Sequence, residues 1–180
     1  SFYSRTYATD GSWAVLLQDF NNDRLTDIFI TNGIAKRPND LDYINYLNYS
    51  GGQATSEELI GQMPSQPLRN ILFLNNGDWT FSDLNSSLVG PPSFSNGAAY
   101  ADLDLDGDLD LVAGNYNQTN RLYLNNGTAS PFNGVSPSDV SADTHNTTSV
   151  ALGDVDGDGD LDLVAGNEGQ ANRLYLNDGT

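Results

Sequence analysis

The sequence predicts an all-β fold made of repeated small sheets of short antiparallel strands. Residues 102–127 and 154–179 align without a gap at a spacing of 52 residues. A third, diverged copy begins at Asp19 with DFNNDRLTDIFITNG and resumes at Arg69 with RNILFLNNG. A repeat of roughly 50 residues with several short strands has the size of one β-propeller blade. We therefore expect about three propeller-type blades that form an incomplete ring.

Each repeat carries the same order of elements. A first apolar stretch leads into an Asp-rich loop, a second apolar run follows, and an alternating segment then ends in Asn-Asn-Gly or Asn-Asp-Gly. That tripeptide is a strong signal for a tight hairpin turn. We divide the chain into three repeats on this basis: residues 1–80, 81–131 and 132–180.

An insertion at residues 34–68 interrupts the first repeat. Residues 40–49 and 55–63 have a helix-like spacing of apolar side chains, and Thr55 with Glu58 matches a capping box. We expect one or two short helices at the edge of the first blade. Insertions in repeat proteins often form a binding face. The alternative is a loop that packs three side chains onto the blade: Tyr43, Tyr46 and Leu47.

The two ends of the chain continue the repeat pattern. An aromatic residue follows the Asn-Gly turn in the first two repeats, as Phe81 and Phe132, and joining the last residue to the first would place Phe2 in that position. The chain then belongs to a longer propeller, or residues 1–9 of another copy complete the last strand of the third repeat. The second arrangement is head-to-tail assembly, which produces a closed ring or an open filament.

The charge is strongly acidic and unevenly placed. The formal net charge is −17, from 24 Asp and Glu against 7 Lys and Arg. Such a surface repels nucleic acid and anionic lipid, and no apolar run approaches the roughly 18 residues of a membrane span. Thirteen of the 24 acids lie in residues 19–27, 102–110 and 154–162. Clustered like charge raises the free energy unless a cation neutralises it.

Oxygen ligands recur at positions 1, 3, 5 and 9 of each nine-residue loop. The side chains are Asp19, Asn21, Asp23 and Asp27; Asp102, Asp104, Asp106 and Asp110; and Asp154, Asp156, Asp158 and Asp162. Calcium takes about six to eight oxygens, and carboxylates at alternating positions of a tight loop can converge on one ion. The backbone carbonyl at position 7 adds a ligand: Leu25, Asp108 or Asp160. We predict up to three Ca²⁺ ions.

The three loops are not equivalent in sequence. Gly107 and Gly159 occupy position 6, where a turn often needs a positive φ, whereas the first loop has Arg24 there and Asn21 in place of an acid. The first site is therefore expected to be weaker, distorted or less charged. An EF-hand would need a bidentate Glu at position 12 and flanking helices, and neither is present in the sequence pattern. A transition metal would prefer His or Cys ligands.

The pattern D-x-D-x-D-G-x-x-D-L, followed by LVAGN and N-R-L-Y-L-N-x-G, resembles the FG-GAP/VCBS repeat. This repeat builds the propeller of integrin α subunits and of many bacterial surface and secreted proteins. The first repeat resembles the bacterial branch that often precedes an ASPIC/UnbV segment. The resemblance implies calcium in the loop between two strands of a blade, held at the positions given above.

These features favour a non-enzymatic, calcium-binding extracellular module for adhesion, surface display or structural assembly. Its partners would be other copies head to tail, an extracellular protein or a glycan. One alternative is a subunit of a head-to-tail polymer or filament, and another is the propeller part of a secreted carbohydrate-active enzyme or lectin. His145 is the only histidine and is expected in a polar loop, and cysteine is absent. No Ser lies in a nucleophile elbow.

The sequence also carries five acceptor motifs for N-glycosylation. Their asparagines are Asn48, Asn85, Asn117, Asn126 and Asn146. Because the chain is rich in asparagine, many such motifs arise by chance, so these positions are candidate glycosylation sites.

Overall fold

The computed structural model describes residues 11–50, 52–83 and 91–179. It is built mostly of strands, with two short helices. The strands are β1 Ser12–Gln18, β2 Asp27–Asn32, β3 Ile71–Asn75, β4 Phe81–Asp83, β5 Ser95–Ala101, β6 Asp110–Gln118, β7 Arg121–Tyr123, β8 Ser138–Asp139, β9 His145–Gly153, β10 Asp162–Asn167 and β11 Arg173–Tyr175. The helices are α1 Leu41–Ser50 and α2 Ser56–Gln62. The predicted all-β fold with a small helical insertion is confirmed.

The strands form antiparallel blades in chain order. The first blade has the order β1-β2-β3-β4, with Leu16 opposite Phe29 and Phe29 opposite Leu72. Strands β5 to β8 form the second blade, and β9 to β11 form the described part of the third. The end of β6 also pairs with β9, where Tyr116 lies opposite Asn146. This pairing joins the second and third blades into one curled sheet.

The first two blades pack face to face around an aromatic core. We call the face of a blade that is turned toward the next blade in the chain its leading face, and the opposite face its trailing face. The leading face of the first blade therefore packs on the trailing face of the second blade. The leading face supplies Phe20, Phe29, Leu72 and Leu74, and the trailing face supplies Leu111, Ala113, Tyr123 and Phe132. All eight side chains are at most 8% exposed. Successive side chains of a strand point to opposite faces of the sheet, so each blade can contribute side chains to two interfaces.

Phe20 lies at the centre of this core. Its ring makes edge-to-face contacts with Phe29, Tyr100 and Phe132, at centroid separations of 6.5, 6.0 and 6.1 Å. Such pairs are favourable because the edge of one ring meets the π-face of the other. Burial also raises the pKa of Tyr123 to about 12. The second residue of the Asp-rich loop therefore anchors the contact between blades.

The insertion forms the two expected helices and is tied to the first blade. The Asp40 carboxylate accepts from the backbone N–H of Asp42 and Tyr43 at the start of α1, and Tyr43 is buried. The capping box of Thr55 and Glu58 is confirmed at α2. The backbone N–H of Thr55 and, to a smaller extent, its hydroxyl donate to the Glu58 carboxylate and hold the pKa of Glu58 below its ordinary value.

The other two predicted contacts of the insertion, Tyr46 and Leu47, are half-buried. A bridge between Ile34 and Gln66 closes the insertion at its base. The described part of the chain contains no helix long and apolar enough to cross a membrane. Residues 1–9, predicted to complete another blade, lie outside the described residues, and the three repeat boundaries stay predictions.

Gly97 lies where the inner strands of the second and third blades approach most closely. A Cβ at this position would lie 2.8 Å from Ser149 Cα and 3.0 Å from its carbonyl carbon. We expect Gly97→Ala to lower the free energy of unfolding by roughly 1–3 kcal/mol, because β5 and β9 must separate. Urea unfolding measures this. Gly61→Ala is the matched control, since Gly61 has open space and lies in α2, where Ala is expected to stabilise by about 1 kcal/mol.

Candidate metal centre

Each Asp-rich loop connects the first strand of a blade to the second. Residues 19–27 join β1 to β2, residues 102–110 join β5 to β6, and residues 154–162 join β9 to β10. Positions 4 and 6 have positive φ in all three loops. The values are 57° and 71° for Asn22 and Arg24, 60° and 94° for Leu105 and Gly107, and 84° and 101° for Gly157 and Gly159. The turn expected at Gly107 and Gly159 is confirmed, and the first loop adopts it with Arg24 in a conformation that favours glycine.

The loops share an internal hydrogen-bond pattern. The carboxylate at position 1 accepts from the backbone N–H at position 6: Asp19 from Arg24 at 2.7 Å, Asp102 from Gly107 at 3.0 Å and Asp154 from Gly159 at 3.1 Å. The carboxylate at position 5 accepts from the N–H at position 7: Asp23 from Leu25, Asp106 from Asp108 and Asp158 from Asp160. These bonds curl the backbone of each loop, and in the second loop the side chains at positions 1, 3 and 5 converge.

The carboxylate at position 9 is fully buried in every blade and has a separate role in the fold. Asp110 accepts from the backbone N–H of Leu103 and of Asn125, both at 2.8 Å. Asp27 makes the same pair of bonds with Phe20 and Asn75, and Asp162 makes them with Val155 and Asn177. Position 9 therefore ties the start of its loop to the end of the third strand of its blade.

Asn75, Asn125 and Asn177 are structural residues that the sequence argument treated only as part of a hairpin turn. The Asn125 side chain donates to the Leu109 carbonyl and accepts from the N–H of Gly127. An asparagine occurs directly before Asn-Gly or Asp-Gly in all three repeats, and this repetition could have indicated a structural role. A short hairpin follows in the first blade, where the backbone N–H of Asn76 donates to the Thr80 carbonyl and β4 begins at Phe81. In the second blade the next strand, β8, begins at Ser138, so the tight hairpin predicted there is wrong.

Two groups of carboxylates come close enough to share one cation. The groups are Asp102, Asp104 and Asp106, and Asp154, Asp156 and Asp162, each with ligand oxygens within 4.8 Å of one another. Oxygens bound about 2.4 Å from one calcium ion are separated by at most about 5 Å. Asp102 Oδ1 is buried and has no hydrogen-bond partner among the described residues. An all-oxygen donor set with an unpartnered buried carboxylate oxygen fits a hard cation.

The first loop differs from the other two. Within the described part of the chain, Asp19, Asp23 and Asp27 do not form such a group. Asn21 donates its amide N–H to Asp23 Oδ2 at 3.0 Å, which satisfies one carboxylate oxygen without a cation. The expectation of a weaker or less charged first site agrees with this arrangement. The individual ligand assignments, including the carbonyls of Leu25, Asp108 and Asp160, stay predictions.

The first and second loops also touch each other. The Asn22 amide donates to Asp108 Oδ1 at 2.6 Å, and the Asn125 amide donates to the Phe20 carbonyl at 2.9 Å. The side chain of Asp108 is therefore engaged by the preceding blade. These two bonds lie beside the aromatic core and link the loop edge of the first blade to that of the second.

Burial and hydrogen bonding shift the carboxylate pKa values in opposite directions. Removal from water raises the pKa of Asp27 and of Asp110, against the backbone N–H groups that lower it, and neighbouring loop carboxylates raise it further. Loss of water contact also raises the pKa of Asp156, with neighbouring carboxylates adding to the effect. The backbone N–H groups of Asn177 and Val155 hold the pKa of Asp162 below its ordinary value. For Asp162, these hydrogen bonds outweigh the removal from water that raises the pKa.

These shifts predict how the calcium-free protein responds to pH. Groups with a raised pKa take up protons in the folded protein at a higher pH than in the unfolded chain, so the unfolding free energy rises as pH falls from neutral toward the raised pKa values of Asp27 and Asp110. The lowered pKa of Asp162 stabilises the folded protein, and this stabilisation is lost only when the pH falls near and below the ordinary Asp pKa of 3.8. We therefore expect the Tm in EDTA to rise by a few degrees over this range. Differential scanning calorimetry at several pH values measures it.

Calcium should reverse this pH dependence. Protons compete with a bound cation for the same carboxylates, so acidification weakens metal affinity. The Tm in excess calcium should fall over the pH range in which the Tm in EDTA rises. Two parallel curves would contradict the assignment of the raised pKa values to the loop carboxylates.

Comparison with known proteins agrees with this geometry. The model of the FG-GAP-like repeat matches residues 19–113 and again residues 102–165, which together include all three Asp-rich loops. The chain belongs to the FG-GAP-like repeat family. The family resemblance drawn from the sequence motifs is therefore confirmed, and FG-GAP-like repeats form β-propeller blades.

Three relatives share part of this FG-GAP-like chain. Cartilage acidic protein 1 of Homo sapiens is 35% identical over 114 residues, which is 59% of this chain and 17% of that protein. Its Mus musculus counterpart is 34% identical over 116 residues, with 59% and 18% covered. The Xenopus tropicalis protein is 44% identical over 57 residues, with 31% and 9% covered. The chain thus matches less than a fifth of the length of these relatives.

The candidate glycosylation sites differ in accessibility. Asn48, Asn117 and Asn126 are exposed, whereas Asn146 is half-buried in β9. Asn85 lies outside the described residues. Accessible asparagines satisfy the steric requirement of the modification, and glycosylation at these positions stays a prediction.

Proposed function

We propose that this FG-GAP-like chain is a calcium-stabilised, non-enzymatic extracellular module that serves adhesion, surface display or assembly. The convergence of Asp102, Asp104 and Asp106 around a buried, unpartnered carboxylate oxygen carries the proposal. Calcium suits this oxygen-only donor set, and the weak affinities typical of extracellular modules match a millimolar calcium environment. Three ions would offset six (3 × 2) of the 17 net negative charges. The relatives are named for cartilage, a tissue rich in extracellular matrix, and this supports the proposed localisation.

The ions would act on the fold. Each loop holds several carboxylates on a tightly curled backbone, so the empty loop is strained by like-charge repulsion. A cation that binds only the folded loop stabilises it by linkage. In the second and third loops, the side chains that would hold it are Asp102, Asp104, Asp106 and Asp110, and Asp154, Asp156, Asp158 and Asp162.

A catalytic role has little support from the titratable groups outside the loops. His145 Nε2 accepts a hydrogen bond from Arg173 Nε at 2.8 Å, so its lone pair is already engaged. Its Nδ1 lies 2.8 Å from the Thr144 carbonyl. A general base needs a free lone pair within reach of a substrate proton. This arrangement favours a structural histidine and a binding module.

Isothermal titration calorimetry with calcium tests the proposal. The chain, freed of metal with EDTA and dialysed, should bind at least two ions. Asp104→Asn and Asp156→Asn should each remove one ion from the stoichiometry. Asp143→Asn is the matched control, because it removes the same charge from an exposed residue outside the loops. Absence of calcium binding, or an unchanged stoichiometry in both loop variants, would refute the proposal.

A second candidate function, head-to-tail assembly, is favoured by the outer faces of the first and third blades. Val155, Val164, Leu174 and Leu176 of the third blade are the repeat equivalents of Phe20, Phe29, Leu72 and Leu74, yet they are 40–59% exposed. On the trailing face of the first blade, Val15 and Leu17 are also exposed. A leading face of one copy could therefore pack on the trailing face of another, as the first two blades do within the chain.

Mixing two blocked variants tests this assembly. Leu174→Glu with Leu176→Glu blocks the leading face, and Val15→Glu with Leu17→Glu blocks the trailing face. Each variant alone should stay monomeric in analytical ultracentrifugation, whereas an equimolar mixture should form a heterodimer. A wild-type chain that is monomeric at every concentration would refute head-to-tail assembly.

A further inference from the structure

A cleft of about 530 Å³ lies at the opposite end of the blades from the Asp-rich loops. The first blade contributes Trp13, the insertion contributes Ile60, the second blade contributes Asn96 and Tyr116, and the third blade contributes Glu168. Trp13 is near the start of β1 and Asp19 follows its end. At about 3.3 Å per residue, the two positions are about 20 Å apart along the strand direction. The cleft is therefore separate from the candidate metal centre.

The main aromatic wall of the cleft is held in place. The indole N–H of Trp13 donates to the carbonyl of Gly33, so the polar edge of the ring is satisfied while 59% of the residue stays exposed. Across the cleft, the backbone N–H of Tyr116 donates to the Phe94 carbonyl at 2.8 Å. A fixed, exposed indole loses little conformational entropy on binding and offers a flat apolar face.

The insertion side of the cleft is also anchored. The bridge between Ile34 and Gln66 brings both ends of the insertion beside β2, and Arg37 Nη1 donates to Gln66 Oε1 at 3.1 Å. Opposite, the backbone N–H of Glu168 donates to the Asn146 carbonyl at 2.8 Å. Three blades and the insertion thus meet at one concave surface, which is the usual setting of a ligand site.

The chemistry of the lining selects the class of ligand. Asn96 and Asn117 offer amide donors and acceptors, Glu168 offers a carboxylate and Lys36 an ammonium group. The two charges cancel, and the net charge of −17 on the whole chain repels an acidic ligand. Pyranose rings present an apolar face that stacks on indole and a rim of hydroxyl groups that pair with amides and carboxylates. We propose that this cleft binds an uncharged oligosaccharide, with Trp13 as the stacking platform.

Binding to uncharged oligosaccharides tests the proposal directly. The probes are short oligomers of glucose, mannose, xylose, galactose and N-acetylglucosamine, first arrayed and then titrated by calorimetry. The chain is produced in a host without N-glycosylation, so that Asn117 at the cleft stays unmodified. Calcium is kept in excess throughout. Because the cleft is remote from the loops, loss of calcium binding in Asp104→Asn should leave saccharide binding intact in that folded variant.

Trp13 and Trp79 form a matched pair, since they are the only two tryptophans and Trp79 is exposed outside the cleft. Trp13→Ala should weaken binding by at least about tenfold, and Trp79→Ala should leave it unchanged. Glu168→Gln should weaken it without altering the Tm. In Trp79→Phe, Trp13 is the sole tryptophan, and its fluorescence should shift on addition of the bound saccharide.

Four results would overturn the proposal. They are absence of binding to every uncharged probe, binding only to acidic saccharides, full affinity in Trp13→Ala, and selective capture of peptides by the cleft without any saccharide binding. Trp13→Ala is accepted as a test only with a Tm equal to that of Trp79→Ala. If Trp13→Ala does not fold, the test rests on the saccharide affinity of Glu168→Gln and on the Trp13 fluorescence of Trp79→Phe. An unchanged affinity together with an unchanged fluorescence would then overturn the proposal.

Discussion

Chelation of calcium is expected to lower the Tm of this protein by about 10–20 °C. Two sites held at about 100 times their Kd contribute roughly 5 kcal/mol together, because each ion binds the folded loop alone. For a chain of this size, about 1 kcal/mol shifts the Tm by roughly 2–4 °C. Differential scanning calorimetry at pH 7, in excess calcium and in excess EDTA, gives the two values.

The expected loss follows from the second and third loops. Without a cation, Asp102, Asp104 and Asp106 repel one another within 4.8 Å, and Asp102 Oδ1 stays buried without a partner. A chain carrying both Asp104→Asn and Asp156→Asn should show little response to EDTA. Magnesium should restore less of the Tm than calcium, because it requires stricter octahedral geometry and keeps its water. Equal Tm values in calcium and EDTA would contradict a stabilising role for the loops.

Local features of the sequence were sufficient to predict the blades and the turns in the second and third Asp-rich loops. The gap-free alignment of residues 102–127 with 154–179 fixes the order of elements, since equal sequences make equal local hydrogen bonds. Positive φ at Gly107 and Gly159 follows from glycine in a tight loop. The capping box of Thr55 and Glu58 spans only four residues and needs no tertiary information. Each of these interactions joins residues close in the chain.

Contacts between distant segments could not be predicted in the same way. Alternation shows that a strand has two faces, but it does not identify which blade covers each face. The Asn22 to Asp108 hydrogen bond crosses 86 positions, and the Asn125 to Phe20 bond crosses 105. The sequence predicted only one of the two roles of position 9. A carboxylate in this loop indicates a metal ligand, but its residue type does not show that it also accepts structural hydrogen bonds. Only the structure shows two backbone N–H donors on each of those carboxylates.

Asp110→Ala is expected to lower the unfolding free energy by about 2–5 kcal/mol even in EDTA. The substitution leaves the buried N–H group of Asn125 and the half-buried N–H group of Leu103 without an acceptor. Each unsatisfied group costs roughly 1–3 kcal/mol. Burial of the Asp110 carboxylate is itself unfavourable, as its raised pKa indicates, so its removal offsets part of this loss. The expected decrease in unfolding free energy is therefore smaller than the cost of two fully buried, unsatisfied N–H groups. Urea unfolding in EDTA measures the difference from wild type.

Asp104→Ala is the matched control, because it removes a carboxylate from the same loop. Asp104 is exposed and accepts one bond, from the Asp106 N–H at 3.3 Å. If position 9 served only the cation, the two variants would be equally stable in EDTA, and both would lose calcium binding at this loop. A lower stability of Asp110→Ala in EDTA, with equal calcium loss, assigns the buried carboxylate to the blade as well as to the ion. The blade would then hold position 9 in place before calcium arrives, so that only positions 1, 3 and 5 must be ordered by the cation.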